Sequence, residues 1–180
     1  MLAVPFPGGL WSRLPVLVVS VVALLAAPSA VQAALTASVA DLNLPAVTSS
    51  HVAQTNTGTM TLSVSDSAPG AGWNVTILSS AFAYSGPNGG SSIPAMNLSI
   101  TAAGSPALVS GQAIDPIGGP KVPPSGTTGT LDVARKTIQA EAGYGGGTYT
   151  QDLAVSLVVP ADSRAGTYTA SLTVTVSAGP

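Results

Sequence analysis

The chain has 180 residues and little charge: five Lys or Arg against seven Asp or Glu, a formal net charge of −2. So few cations form no basic patch to neutralise phosphates, which excludes nucleic-acid binding and disfavours docking on anionic lipid. With no cysteine, neither a lipoprotein anchor nor a disulfide framework is available.

At the N-terminus, Arg13 precedes the apolar run from Leu14 to Ala27. Pro28 breaks that run, and Val31-Gln32-Ala33 is a small-residue cleavage pattern. The run is shorter than the roughly 20 apolar residues of a spanning helix. Residues 1–33 are therefore expected to be a secretory signal peptide, leaving one domain over residues 34–180 with no membrane span. No apolar tail or basic end precedes Pro180, so attachment to a surface is expected to be non-covalent.

Leu35 to Leu44 alternates well enough to predict a first strand, and the polar stretch from Val47 to Asn56 reads as a loop. From Thr59 to Asp66, Met60, Leu62 and Val64 alternate with Thr and Ser. A Pro-Gly turn at 67–72 leads to Trp73, Val75 and Ile77, again alternating. Strand, Gly-rich turn, strand predicts a β-hairpin, with Phe82 and Tyr84 as an extension of its second arm. Ser85 to Ser92 is turn chemistry throughout.

Met96, Leu98 and Ile100 mark a half-buried strand, and a weaker one spans Ala107 to Ile114. Asp115 to Gly129 holds four Pro and four Gly and predicts a long irregular loop. Leu131 to Ala142 is rich in helix formers; a strand near Leu131–Val133 followed by a short irregular or helical link is expected. Thr148 to Val159 is a strand with Leu153, Val155, Leu157 and Val159 inward. After the turn at Ala161 to Gly166, Tyr168, Ala170, Leu172, Val174 and Val176 alternate with Thr and Ser in a closing strand. Seven or eight strands separated by Gly, Pro and Asn turns predict an all-β fold, an antiparallel β-sandwich.

Three stretches carry a family resemblance in order along the chain. Gly72-Trp73-Asn74-Val75 follows Asp66; a Gly-rich turn spans Gly143 to Gly147; and Pro160-Ala161 precedes Gly166-Thr167-Tyr168 and Leu172-Thr173-Val174-Thr175-Val176. This set resembles the WxL-type surface domains of Gram-positive bacterial envelopes, which show Gly-Trp-x-Leu/Val after an Asp-containing turn. Near their end they show Gly-Thr-Tyr-x(3)-Leu-Thr-Trp-x-Leu. Here Val75 stands for Leu, and Val174 for the second Trp. The resemblance covers roughly Asp41 to Pro180 and implies non-covalent binding to peptidoglycan or assembly with other surface proteins.

Residues that could carry chemistry are few. His51 is the only histidine, lies in a polar segment, and has no Gly-x-Ser-x-Gly turn to serve. The acids are scattered and mostly flank turns, without the spacing of a calcium loop. Gly143 to Gly147 is followed by no Lys-Ser/Thr and is not a phosphate loop. No catalytic residue, metal or cofactor is expected. Trp73 has two readings: a core residue in phase with Val75 and Ile77, which the alternation favours, or a platform stacking on a sugar ring with Tyr84, Tyr144 or Tyr168 nearby. Trp73, Tyr144 and Tyr168 are thus the candidate binding residues.

The expected protein is a secreted, non-enzymatic cell-surface domain associated with the wall or with other envelope proteins. The alternative is a structural subunit of a fibre or pilus assembled by β-strand addition, with the charge-poor Leu35–Leu44 strand as the donated one.

Overall fold

Strands form wherever apolar side chains recur at every second residue, and each must find a surface on which to bury that row. The structure, a computed structural model, describes residues 35–68, 70–87 and 89–180; the expected signal peptide lies outside them. The described chain is all-β, in antiparallel sheets. Its strands are β1 (Leu35–Val39), β2 (Gln54–Asp66), β3 (Trp73–Ser79), β4 (Ala83–Ser85), β5 (Leu98–Ala103), β6 (Ala107–Gly111), β7 (Gly129–Thr130), β8 (Arg135–Ala140), β9 (Gly147–Val159), β10 (Thr167–Thr169) and β11 (Leu172–Ala178). One sheet has the order β1-β2-β9-β5-β7, with β6 paired to the opposite end of β9 from β5. A second sheet has the order β11-β3-β8, and β10 pairs with β4.

Between the sheets, Met60, Leu62 and Val64 of β2 and Tyr149, Leu153 and Val155 of β9 join Trp73, Val75 and Ile77 of β3 and Ile138 of β8 in one buried cluster. Each such aliphatic side chain contributes about 1.5–3 kcal/mol on burial. The opposite faces of β2 and β11 are hydroxyl-rich, as the alternation requires: Thr59, Thr61, Thr173 and Thr175 are exposed.

Eleven strands form where seven or eight were expected, because several are only two or three residues long and the closing run divides. Its alternation persists from Tyr168 to Val176, but β10 pairs with β4 whereas β11 pairs with β3. At the break, the Ser80 hydroxyl accepts the Ser171 N–H at 2.9 Å, and Ser80 N–H donates to Ser171 O at 2.9 Å.

The expected hairpin of β2 and β3 is instead an arch between sheets. β2 pairs with β9 along its whole length and with β1 at Leu62–Asp66, so where the turn emerges both its edges are occupied. β3 must pair elsewhere, and it does so in the second sheet with β8 and β11. Residues 141–146 make a similar crossing from β8 to β9. The two crossings are joined by the Gly143 N–H bonding to Gly70 O at 3.0 Å.

The segment rich in helix formers is also corrected. Leu131 is a buried plug just after β7, and the strand lies at Arg135–Ala140 rather than Leu131–Val133. Lys121 and Gln139 exchange backbone hydrogen bonds, so the loop after Asp115 covers part of β8, and Thr137 to Ala140 are buried on both faces. Tertiary cover here overrides intrinsic helix propensity. Met96 is likewise displaced from its expected strand into a 3-10 turn, Ala95–Asn97, where it is exposed.

Candidate functional site

The three candidate aromatic residues divide between opposite ends of β3, a strand spanning roughly 20 Å. Trp73 opens β3 and is 0 % exposed. Its Nε1–H donates to Gly145 O at 3.2 Å, and its ring lies 6.5 Å from that of Tyr149, tilted by 45°. Gly145 has φ +81°, and a Cβ there would come within 2.6 Å of both Trp73 Nε1 and Ala140 Cβ. The Gly-rich turn is therefore the lid over the indole, and no face of Trp73 is left for a sugar. Tyr144, its neighbour in that turn, is half-buried, and Gly118 lies against its ring.

Tyr168, on β10, belongs to the other end. Its ring centroid is 5.2 Å from that of Tyr84 on β4, at 57°. Each hydroxyl is anchored to the turn after β9: Tyr168 Oη donates to Arg164 O at 3.0 Å and Tyr84 Oη to Ala165 O at 2.9 Å. Asp162 turns this loop with φ 59°, and its N–H donates to Ser50 O at 2.9 Å. That bond joins the loop to the segment following β1.

This segment, Ala40 to Val52, makes the second wall. The ladder with β2 ends at Val39, and Ala40 N–H reaches Thr61 O at only 3.4 Å. Ala40 and Asp41 are both exposed, which shifts the inward phase by one residue, and Leu42 and Leu44 then turn back toward the core. Gly58 of β2 receives them: a Cβ there would fall 2.7 Å from Leu44 Cδ2 and 3.2 Å from Leu42 Cδ1. Pro45 has no N–H to give a ladder. Side-chain amides of β2 hold the segment instead. Asn56 Nδ2 donates to Pro45 O, and Gln54 Nε2 to Thr48 O at 2.9 Å.

Between this segment and the run from Arg164 to Leu172 lies an open groove of about 1120 Å³. Tyr168 lines both the groove and a neighbouring hollow of about 440 Å³, which is bounded by Gly89–Ile93 and Pro160–Arg164. Arg164 lines both as well, and among the described residues its guanidinium has no ion-pair partner. Ser163, Thr167, Thr169, Gln54 and Asn56 line the groove together with the apolar Leu42, Leu44 and Val174, so its walls are of mixed composition.

Such a surface can bind, by ring stacking and by multiple hydrogen bonds. His51 Nδ1 meets Asp162 Oδ1 at 2.5 Å beside the groove, both side chains exposed, and no hydroxyl bonds to the imidazole among the described residues. Among the described residues no three His, Asp or Glu gather where they could hold a metal ion. At the opposite end of the molecule the Asp115 carboxylate accepts the N–H groups of Gly118 at 2.7 Å and Ile117 at 2.8 Å. Those two bonds, with the nearby Lys121 ammonium, hold its pKa below the ordinary carboxylate value and pin the start of the long loop.

Residue types alone identified Tyr168 as a candidate but not the groove. Its second wall was readable only in the change of apolar phase between Val39 and Leu42 and in the Pro45 that follows. No family model, curated protein or solved structure matches this chain.

Proposed function

We propose that the protein is a secreted, non-enzymatic domain of the cell envelope, held non-covalently on the wall through the groove that Tyr168 lines. The observation that carries this reading is the groove itself, which is lined by Tyr168, by several Ser and Thr residues and by an Arg164 that has no ion-pair partner among the described residues, with Asp41 as its one acidic lining residue. That combination suits the sugar rings and short peptides of peptidoglycan. The resemblance to WxL-type domains supports the same assignment, and the signal-peptide pattern of residues 1–33 supports secretion. Among the described residues no helix is long and apolar enough to cross a membrane. The burial of Trp73 moves the contact role from the first motif to Tyr168.

The test is co-sedimentation of residues 34–180 with isolated peptidoglycan, beside Tyr168→Ala and Arg164→Ala, with folding checked by circular dichroism. Saturable pelleting by the wild type that is weakened several-fold in both folded variants is expected. Arg164 is exposed, so its variant keeps the test valid where loss of Tyr168 disturbs β10. Absence of pelleting by the folded wild type, or equal pelleting by both variants, overturns the proposal.

A further inference from the structure

One side of the sandwich has open edges. In the β1–β2 ladder, Ala40 N–H bonds to Thr61 O, so even-numbered residues of β1 bond inward to β2 and odd-numbered ones turn their backbone groups outward. Leu35, Ala37 and Val39 therefore have no edge partner among the described residues. In β11, Gly179 N–H bonds to Gly72 O and Ser80 N–H to Ser171 O, so the odd-numbered residues face β3. Leu172, Val174 and Val176 thus form a second edge without a partner among the described residues. Natural edge strands are commonly shielded by charge, Pro or a bulge. Neither β1 (LTASV) nor β11 (LTVTVSA) contains a charge or a Pro.

The segment on this side is held by one short ladder, by its apolar side chains on the core and by the two amide bonds from β2. Among the described residues β1 pairs over five residues on one edge, and after Ala40 its continuation has no ladder with β2. β2, by contrast, pairs with β9 along all 13 residues, so the receiving strand stays in place without β1. The fit of the segment is nevertheless specific: Leu42 and Leu44 occupy space that only a glycine at position 58 provides. From Pro45 to Val52 the chain is exposed at every residue but Ser50, with Pro45 at the point where the ladder fails. A short, specific, singly held strand joined through an exposed, proline-marked connection has the form of an exchangeable arm.

We propose that Leu35–Leu44 is exchanged between two copies of this chain, the arm of one lying on β2 of the other. The exchanged arm makes the contacts already seen within one chain: the Leu35↔Asp66 to Val39↔Leu62 register and the two leucines over Gly58. The receiving surface therefore needs no remodelling. Residues 45–52 act as the hinge. This inference goes beyond wall binding and stands without it; reciprocal exchange closes a dimer, and sequential exchange extends a chain of copies.

The test uses the native absence of cysteine. Ser38 and Ser63 are ladder partners with side chains off the core face. Hydrogen-bonded antiparallel partners sit about 5.5 Å apart at Cα, inside the disulfide range. Differently tagged Ser38→Cys and Ser63→Cys chains are unfolded together in denaturant, refolded at high concentration and oxidised. Exchange predicts a mixed disulfide dimer in several-fold excess over that from a control pairing of Ser38→Cys with Thr173→Cys. The double variant Ser38→Cys/Ser63→Cys, oxidised as dilute monomer, should stay monomeric in light scattering at concentrations where wild type associates, until it is reduced. A mixed dimer no more abundant than the control, or a wild type monomeric at every concentration, overturns the proposal. No peptidoglycan enters this experiment, so its failure and that of the wall-binding reading are separable.

Discussion

Replacing Trp73 discriminates most sharply between a core role and a surface role for the aromatic motif. The indole is 0 % exposed and packs against Tyr149. Truncating a buried Trp to Ala costs about 3–5 kcal/mol in lost transfer energy and residual cavity. A domain of ordinary stability holds about 5–15 kcal/mol in total, so Trp73→Ala should remove roughly a fifth of it or more. At this size each kcal/mol moves the midpoint by about 2–4 °C, which places the expected fall in Tm at roughly 6–20 °C. Trp73→Phe keeps a ring but loses the bond from Nε1 to Gly145 O, leaving that carbonyl short of a donor. Its expected cost is about 1–3 kcal/mol, and its binding to peptidoglycan should be unchanged. Urea unfolding followed by circular dichroism measures both costs. Of the two Trp residues, Trp11 lies in the expected signal peptide, so emission from residues 34–180 reports Trp73 alone. Blue-shifted emission with strong protection from acrylamide is expected. Emission typical of a water-exposed indole, or a Trp73→Ala variant within about 0.5 kcal/mol of wild type, would refute the argument.

Two further outcomes follow from close contacts. Gly58→Val forces Leu42 and Leu44 off their seat; overpacking of this kind costs about 1–3 kcal/mol. Hydrogen exchange should show faster opening confined to residues 35–50, and refolding at high concentration should yield more of the exchanged dimer. Tyr149 Oη lies 2.6 Å from Gln112 O and 3.1 Å from Gly146 O, and its single proton is shared between these two carbonyls. Burial, and then the Asp66 carboxylate, push its pKa above the ordinary tyrosine value. The folded state thus holds this proton more tightly than the unfolded chain does. Its contribution is complete below the unfolded pKa of about 10 and is lost as pH rises through the raised folded value. Urea midpoints should fall on that alkaline limb in wild type and fall less in Tyr149→Phe, which has no phenol to ionise.

A period of two tells which face of a strand is buried and leaves its neighbour unstated. That is why Met60-Leu62-Val64 and Trp73-Val75-Ile77 were legible as core rows while their pairing was not: the choice between hairpin and arch was made by β1 and β9, which take both edges of β2 where the turn begins. The β8 segment failed for the complementary reason. Thr137 is buried at a bulge opposite Val75, where its carbonyl accepts from Gln151, and Gln139 is paired through its backbone with Lys121 of the upstream loop; no local pattern encodes partners that arrive from elsewhere.

Of the candidate aromatics, Trp73 and Tyr144 came together through the Gly145 turn, a contact that the Gly-rich run permits but does not announce. Tyr168 was separated from them because the closing run serves two partners. The groove beside it does have a local signature. Leu35, Ala37 and Val39 keep one phase, Leu42 and Leu44 the other, and Pro45 follows at once. A strand that slips phase and then meets a residue without an N–H cannot continue its ladder, so it must leave the sheet edge while its leucines still seek the core. Its departure creates the groove. The same departure leaves the arm short and singly held, so both proposals trace to one local defect in the alternation: wall binding uses the space that opens, and exchange uses the weakness of the strand that opens it.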